Sequence, residues 1–193
     1  MMRRAVLLVA LGAALVGCTV VPNQGTGVDN GNHPDKRVSS EIFEGIANPV
    51  DLEFIDQMML LSAQARAIAG EGLSRSGTSE LRTQAATVYE TQGVALRQLE
   101  AWRAEWFADA PAAAMAPIEI SQLIPADEVR SFDQRFVDAL IAQKEQMLQL
   151  ATDANGKVEH VQLDTLVKST LIYQPNDIAR LKTYQQKLLE TTL

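Results

Sequence analysis

The chain has 193 residues, and its 17 Lys and Arg against 24 Asp and Glu give a formal net charge of −7. This acidic balance argues against a nucleic-acid partner and against docking on anionic lipid headgroups through a basic patch. With one cysteine the chain has no internal disulfide, so its folded part must be stabilised by a hydrophobic core.

The N-terminus has the pattern of an export signal. Arg3 and Arg4 precede twelve apolar or glycine residues at positions 5–16, which is the charged start and short apolar stretch of a signal peptide. The stretch is too short to span a bilayer, which requires about 20 apolar helical residues. The sequence therefore predicts a cleaved signal and not a transmembrane helix.

The end of this stretch, Leu15-Val16-Gly17-Cys18, resembles the lipobox of bacterial lipoproteins. In that family the cysteine thiol receives a diacylglycerol, the signal is removed, and the new amino group is acylated with a chain such as palmitate. The resemblance implies a signal peptide at 1–17, lipid attachment at Cys18, and a protein that is anchored to a membrane without spanning it. An ordinary cleaved signal with a chance cysteine is the alternative.

The residue after the cysteine bears on localisation. In diderm bacteria a residue other than aspartate, here Thr19, implies an outer-membrane lipoprotein facing the periplasm. In an organism with one membrane the same anchor implies the outer face of the cytoplasmic membrane. The protein is predicted to bind the membrane through its lipid anchor. An envelope protein is a possible second partner.

Residues 18–37 are predicted to form a flexible tether, because they are rich in Pro, Gly, Asn and Asp and contain few apolar side chains. His33 lies in this tether, where a single histidine is interpreted as a solvated linker residue and not as a metal ligand. The folded domain is predicted at 38–193, with a short additional helix at 38–46.

The domain contains an internal repeat at an offset of 82 residues, without a gap over more than fifty positions. Similar pairs, such as Trp102 and Tyr184, lie between the identical ones. The sequence therefore predicts a duplicated helical hairpin, with repeat one at 51–107 and repeat two at 126–192. The identical pairs are Asp51/Asp133, Phe54/Phe136, Asp56/Asp138, Gln64/Gln146, Ala69/Ala151, Leu81/Leu163, Thr83/Thr165, Gln92/Gln174 and Leu99/Leu181.

Apolar residues recur at steps of three and four in both halves of each repeat, which predicts four amphipathic helices. Thr78 or Ser79 is the expected N-cap of the second helix. The segment 108–125, with three prolines, is predicted to be an irregular strap with one short turn. Pro175 predicts a kink or break near Gln174, because proline removes a helical hydrogen bond. The predicted fold is an all-α, four-helix bundle.

Three aromatic residues are predicted to lie together at one end of this bundle. Trp102, Trp106 and Tyr184 lie late in the second and fourth helices. We expect all three to close one end of the bundle.

The motif Phe54-Ile55-Asp56-Gln57-Met58-Met59, continued by Ala65, Ala69, Leu81, Gln92, Leu96, Leu99 and Trp102, resembles the bacterial family called domain of unknown function 305. The resemblance implies an exported four-helix bundle of ferritin-like type, often built from two hairpins, and in some members an association with copper. The family has a His-His pair on the first helix of the hairpin. Here that pair maps onto Leu61-Ser62 in repeat one and Gln143-Lys144 in repeat two.

The remaining family positions also lack ligands. The later Met of the family pattern maps onto Leu99 and Leu181, and the Glu maps onto Ala95 and Asp177. A copper or zinc site needs imidazole, thiolate, thioether or carboxylate groups within about 2.0 to 2.3 Å of one ion, and leucine and serine supply none of these. We therefore predict no metal and no other cofactor.

Polar residues on the apolar faces form a candidate polar core made of Gln92, Gln174, Gln143, Asp56 and Asp138. The two glutamines at repeated positions are expected to find partners inside the bundle, because a buried unpaired amide costs about 1 to 3 kcal/mol. We interpret the two glutamines as structural residues that form hydrogen bonds between helices. The alternative is that they line a remnant pocket for a small ligand. Asp51 and Asp133 are interpreted as favourable charges near helix starts.

The leading functional hypothesis is a non-catalytic envelope lipoprotein that acts through binding or structural contacts. The alternative is a binder of copper or another metal that uses Met58, Met59, Met147 and His160. A hydrolase with Asp56 and Asp138 as a carboxylate pair ranks last. The sequence has neither a hydrolase nucleophile elbow nor a phosphate-binding loop.

Overall fold

A computed structural model describes residues 48–113, 115 and 117–190. The predictions for the signal peptide 1–17, Cys18, the tether 18–37 and the helix 38–46 lie outside these residues. The described part is all-helical and contains no strand. Its helices are α1 (Pro49–Arg75), α2 (Ser79–Trp106), α3 (Ile120–Leu123), α4 (Phe132–Ala154) and α5 (Val161–Glu190).

Side chains at the helix starts explain where three of the long helices begin. The Asn48 side chain accepts a hydrogen bond from the Val50 N–H, and Pro49 follows at the first helical position. Thr78 is the N-cap of α2 and accepts from the Leu81 N–H at 3.3 Å. A capping box of Ser131 and Gln134 opens α4. Local sequence therefore determines these helix boundaries.

The long helices form two hairpins, α1 with α2 and α4 with α5, which meet through α1 and α4. Apolar residues of all four helices form one core. Gly72 on α1 allows a close approach, because a Cβ atom there would overlap the ring of Phe136 on α4. The fully buried large side chains include Phe54, Ile55, Ile68, Leu99, Phe136, Leu140, Leu163 and Leu181.

An approximate two-fold axis relates the hairpins. Asp133 at the start of α4 accepts from the Gly77 N–H at 3.1 Å, and Asp51 at the start of α1 accepts from the Glu159 N–H at 3.0 Å. These two contacts connect pairs of residues that are equivalent at the 82-residue offset. Since the start of each first helix meets the loop of the other hairpin, α1 and α4 run antiparallel.

Two expectations differ from the structure. Helix α5 continues through Pro175, so the predicted break is absent, because Val167, Gln174 and Ile178 are buried on either side of an exposed proline and their packing holds the helix together. The kink stays a prediction. The aromatic residues do not close one end together. Trp102 and Trp106 stack at 5.3 Å near the start of α5, whereas Tyr184 hydrogen bonds Glu80 at the opposite end.

The separation of Tyr184 from the two tryptophans follows from the antiparallel arrangement of the two hairpins. Trp102 and Tyr184 are equivalent in the repeat, and antiparallel hairpins place equivalent residues at opposite ends of the bundle. The strap between the hairpins contains α3 as a single short turn. No helix in the described part of the chain is long and apolar enough to cross a membrane.

Candidate ligand-binding site

A cavity of about 90 Å³ lies between the four long helices. It brings together Gln92 of α2 and Gln174 of α5, two members of the candidate polar core. Leu99, Ala95 and Leu166 form its apolar wall. Its polar or sulfur-bearing lining residues are Met58, Ser62, Gln92, Met147, Thr170 and Gln174.

Ser62, which the family resemblance maps onto one histidine of the His-His pair, lines this cavity. The residue is only 1% exposed, and its Oγ has no hydrogen-bond partner among the described residues. A buried hydroxyl without a partner is unfavourable by about 1 to 3 kcal/mol. The cavity therefore contains a polar group that is unsatisfied among the described residues, at a position where the resemblance implies a histidine.

Lys144 occupies the equivalent register in repeat two. Its side chain is 7% exposed, and its Nζ lies 3.0 Å from Asp177 Oδ2 and 3.4 Å from Gln174 Oε1. Asp177 also binds Arg180, at 2.9 Å. One carboxylate thus faces two cations, and a positive charge stands at the edge of the cavity.

The glutamines differ in their partners. Gln174 donates to the Lys144 carbonyl at 3.4 Å and to Met147 Sδ at 3.5 Å. Gln143 is buried and donates to the Leu61 carbonyl at 2.9 Å and to Gln64 Oε1 at 3.2 Å, which joins α4 to α1. Gln92 is half-buried and makes no side-chain hydrogen bond with the described residues.

The two aspartates of the candidate polar core lie in separate ion pairs. Asp56 Oδ1 binds Arg103 Nε at 2.5 Å, within the first hairpin. Asp138 binds Arg130 and Gln185, each at 2.7 Å. Both carboxylates are partly exposed, and neither lines the cavity. The structure therefore separates them from the glutamines.

The four residues of the metal hypothesis are also separated. Met58 and Met147 line the cavity, but Met59 and His160 do not. His160 directly precedes α5, where its Nδ1 is 2.5 Å from Asp51 Oδ2 and its ring stacks on Trp106 at 4.0 Å. Among the described residues, no three His, Cys, Asp or Glu side chains form a group that could hold a metal ion.

The donor set of the cavity therefore fits a copper or zinc ion poorly. Two thioethers remain beside neutral amides and hydroxyls, and no imidazole or carboxylate lines the cavity. Met147 Sδ already accepts from Gln174, and the Lys144 ammonium lies next to that amide. A nearby fixed positive charge opposes the binding of a cation.

The family resemblance maps Ser62 and Lys144 onto ligand positions, but the sequence did not predict that Ser62 lines a cavity or that Lys144 is buried beside Gln174. A lysine next to Gln143 on a helix with a buried face was the available signal for Lys144. The hydroxyl residues of α2 and α5 were also missed. Thr83, Thr87 and Thr91 recur at steps of four, which places them on one face of α2.

Comparisons with known proteins agree with this fold. The family model described as "Domain of unknown function (DUF305)" matches residues 51–185. No curated protein sequence matches the chain.

Solved structures of a protein named CopM are similar to the chain. "CopM in the Cu(I)-bound form" is 21% identical, with a TM-score of 0.62 over 71% of this chain and 96% of that one. "CopM in the Ag-bound form (by co-crystallization)" is 23% identical, with a TM-score of 0.61 over 71% and 96%. "CopM in the apo form" is 21% identical, with a TM-score of 0.61 over 71% of this chain and 96% of that one. At these identities the similarity shows a shared helical fold.

Proposed function

The chain belongs to the DUF305 family, and from that premise we propose that it is a non-catalytic lipoprotein of the cell envelope whose helical bundle acts by binding and not through a resident metal. The observation that carries this proposal is the buried Lys144 ammonium, 3.0 Å from Asp177, at a register where the family resemblance implies a histidine. A lysine ammonium has no lone pair for a metal, and its charge repels one.

The neighbouring registers support the same proposal. Leu61 contributes its backbone carbonyl to Gln143, and Ser62 contributes only a hydroxyl. The positions that resemble those of the family's histidines thus serve contacts between α1 and α4 or line a small polar cavity. What remains of the inherited site is a neutral pocket beside an ion pair.

A Cu(I) titration in competition with a chromogenic chelator tests the proposal. We expect no stoichiometric binding by the full chain purified in detergent. A variant with Ser62→His and Lys144→His returns two imidazoles to these registers, and it serves as the comparison for a partly restored donor set. Tight binding of one equivalent by the unchanged chain would contradict the proposal.

The envelope location is tested separately. The lipobox resemblance at Leu15–Cys18 predicts that Cys18→Ser releases the protein from the membrane fraction, because acyl chains bind at about 0.8 kcal/mol per buried methylene. Ser39→Ala, a change remote from the lipobox, is the control. Membrane retention of the Cys18→Ser variant would show that the protein has no lipid anchor.

Copper binding is the second candidate, favoured by Met58 and Met147 in one cavity and by the fold shared with the Cu(I)-bound CopM structure. Thioethers are soft ligands that suit Cu(I). This candidate predicts that Met58→Leu and Met147→Leu each abolish Cu(I) binding. Met59→Leu is the matched control, because Met59 is buried but does not line the cavity.

The proposal assigns no catalytic role to Asp56 and Asp138. Each carboxylate is held by an arginine, and among the described residues neither contacts a histidine that could relay protons. Asp56→Asn and Asp138→Asn are therefore expected to leave any hydrolytic activity of a purified preparation unchanged. Loss of a cell-wall hydrolase activity in both variants, with the fold intact, would favour the enzyme hypothesis.

A further inference from the structure

An open groove of about 460 Å³ runs between α2 and α5. Beyond the groove, Trp106 of α2 stacks on His160 just before α5, and Tyr184 of α5 donates a hydrogen bond to Glu80 of α2. Gln92 and Gln174 line both this groove and the inner cavity, so the two spaces adjoin. The volume lies within the range of about 300 to 1,000 Å³ that is typical of small-ligand sites.

The hydroxyl groups of the groove present acceptors. Thr87 donates to the Thr83 carbonyl at 3.1 Å, and Thr91 donates to the Thr87 carbonyl at 2.8 Å. Ser169 and Thr170 both donate to the Leu166 carbonyl, at 2.8 Å. Because each hydroxyl proton is used within its own helix, the oxygen lone pairs remain for a ligand. The groove therefore favours a ligand rich in hydrogen-bond donors.

The charged groups that line the groove are paired with one another. Lys144 and Arg180 both bind Asp177, so these groups sum to one positive charge. That charge opposes a cation. An anion would compete with Asp177 for the two basic groups, whereas a neutral ligand leaves this cluster intact and uses the four hydroxyl oxygens.

We propose that this groove binds an uncharged, hydroxyl-rich saccharide, an inference that rests on the proposed role of the bundle in binding. The sugar hydroxyls donate to the four hydroxyl oxygens, while the Gln92 amide, which has no hydrogen-bond partner among the described residues, both donates and accepts. Tyr173 lines the groove and is 68% exposed, so its ring offers a flat apolar surface to the C–H face of a sugar.

Isothermal titration calorimetry tests the inference, with the full chain in detergent and with cellobiose or N,N′-diacetylchitobiose as the titrant. We expect saturable binding of at least one of them. Thr91→Val and Thr170→Val each remove one acceptor at constant shape, and each should weaken binding about three- to tenfold. Tyr173→Ala should weaken it at least as much. These side chains are exposed or half-buried, so the variants should fold.

Thr183→Val is the matched control. Thr183 lies on the same helix and donates to the Ala179 carbonyl at 3.1 Å, but it does not line the groove. Its variant should bind the disaccharide as the unchanged chain does. Equal weakening in Thr183→Val and Thr91→Val would overturn the groove as the site.

The source of the sugar is distinguished by a second arm, co-sedimentation of the chain with insoluble cellulose or chitin. Pelleting that soluble disaccharide reverses indicates a polysaccharide ligand, whereas binding of disaccharide without pelleting indicates a small free sugar. Absence of saturable binding to both disaccharides and to both polymers would overturn the inference. The broader proposal would then still stand on membrane retention through Cys18 and on the absence of Cu(I) binding.

Discussion

Asp51 on α1 and Asp133 on α4 each hold the loop of the opposite hairpin. Asp51 is fully buried and accepts from the backbone N–H groups of Glu159 and His160 and contacts the His160 ring. Asp133 accepts from the Gly77 N–H through both carboxylate oxygens. The duplication thus produced a reciprocal pair of contacts that joins the hairpins at both ends.

Asp51 accepts more hydrogen bonds than Asp133, so the change to asparagine should destabilise the protein more at Asp51 than at Asp133. Asp51→Asn should lower the free energy of unfolding by about 2 to 3 kcal/mol, because a buried carboxylate loses charge-assisted hydrogen bonds. Asp133→Asn should lower it by only about 1 kcal/mol, since one N–H is affected. Urea unfolding followed by circular dichroism measures both. Equal losses would show that the His160 contacts contribute nothing.

Two glycines of α1 should respond in opposite directions to alanine. In Gly72→Ala the new Cβ overlaps the buried Phe136 ring and meets Ala85 Cβ at 3.0 Å, which should cost about 1 to 3 kcal/mol. In Gly70→Ala the nearest atom is Tyr89 Cε2 at 3.8 Å, so helix propensity should stabilise the protein by up to about 1 kcal/mol. Thermal unfolding distinguishes them, and a stable Gly72→Ala variant would contradict the packing of α1 on α4.

Removal of the unpaired hydroxyl at Ser62 should stabilise the protein. Ser62→Ala eliminates a buried oxygen that has no partner among the described residues, and we expect a gain of about 1 kcal/mol in the free energy of unfolding. Ser169→Ala is the comparison, because its hydroxyl is satisfied by the Leu166 carbonyl. A loss of stability in Ser62→Ala would indicate that a bound water or ligand satisfies the hydroxyl.

Substitution of Asp177 should destabilise the protein more than substitution of Lys144, its partner in the ion pair. Asp177→Asn leaves a buried ammonium without its carboxylate and should cost about 3 kcal/mol. Lys144→Met leaves Asp177 paired with Arg180 and partly exposed, so its cost should be under about 1 kcal/mol. Chemical unfolding at neutral pH measures the difference. Similar costs for the two variants would argue that Lys144 is solvated.

Asp127 provides a pH-dependent test in the segment before α4. The Arg130 side chain, followed by the Val129 and Arg130 backbone N–H groups, lowers the pKa of Asp127 from 3.8 to about 2. A carboxyl whose pKa is lowered by folding contributes stability above pH 3.8, and this contribution is lost as the pH falls toward 2. Titration of its carboxyl carbon by NMR should show a midpoint near 2.

Arg130→Gln should raise that midpoint toward 3.8, because the side-chain hydrogen bond of Arg130 is the largest cause of the lowered pKa of Asp127. Lys168→Gln removes an ion pair with Asp164 elsewhere in the chain and is the control. If the Asp127 midpoint stayed unchanged in Arg130→Gln, the backbone N–H groups alone would hold the carboxylate.

Much of the architecture could be predicted because its signals are local. The spacing of apolar residues, the N-cap at Thr78 and the 82-residue offset are all readable along the chain, and they predicted an all-helical pair of hairpins. The family resemblance maps its His-His pairs onto Leu61-Ser62 and Gln143-Lys144 from the sequence alone, and this mapping stays a prediction. These properties depend on residue type and on neighbours within a few positions.

The site required the tertiary structure, because its contacts join residues far apart in the chain. Asp51 and His160 are separated by 109 positions, and nothing local indicates that α1 and α4 run antiparallel. That orientation separates Trp102 from Tyr184. Packing also keeps α5 helical through Pro175, against its local preference, and buries Lys144 beside Gln174. Helix formation is local, whereas the burial of a charge and the shape of a groove depend on how the hairpins pack.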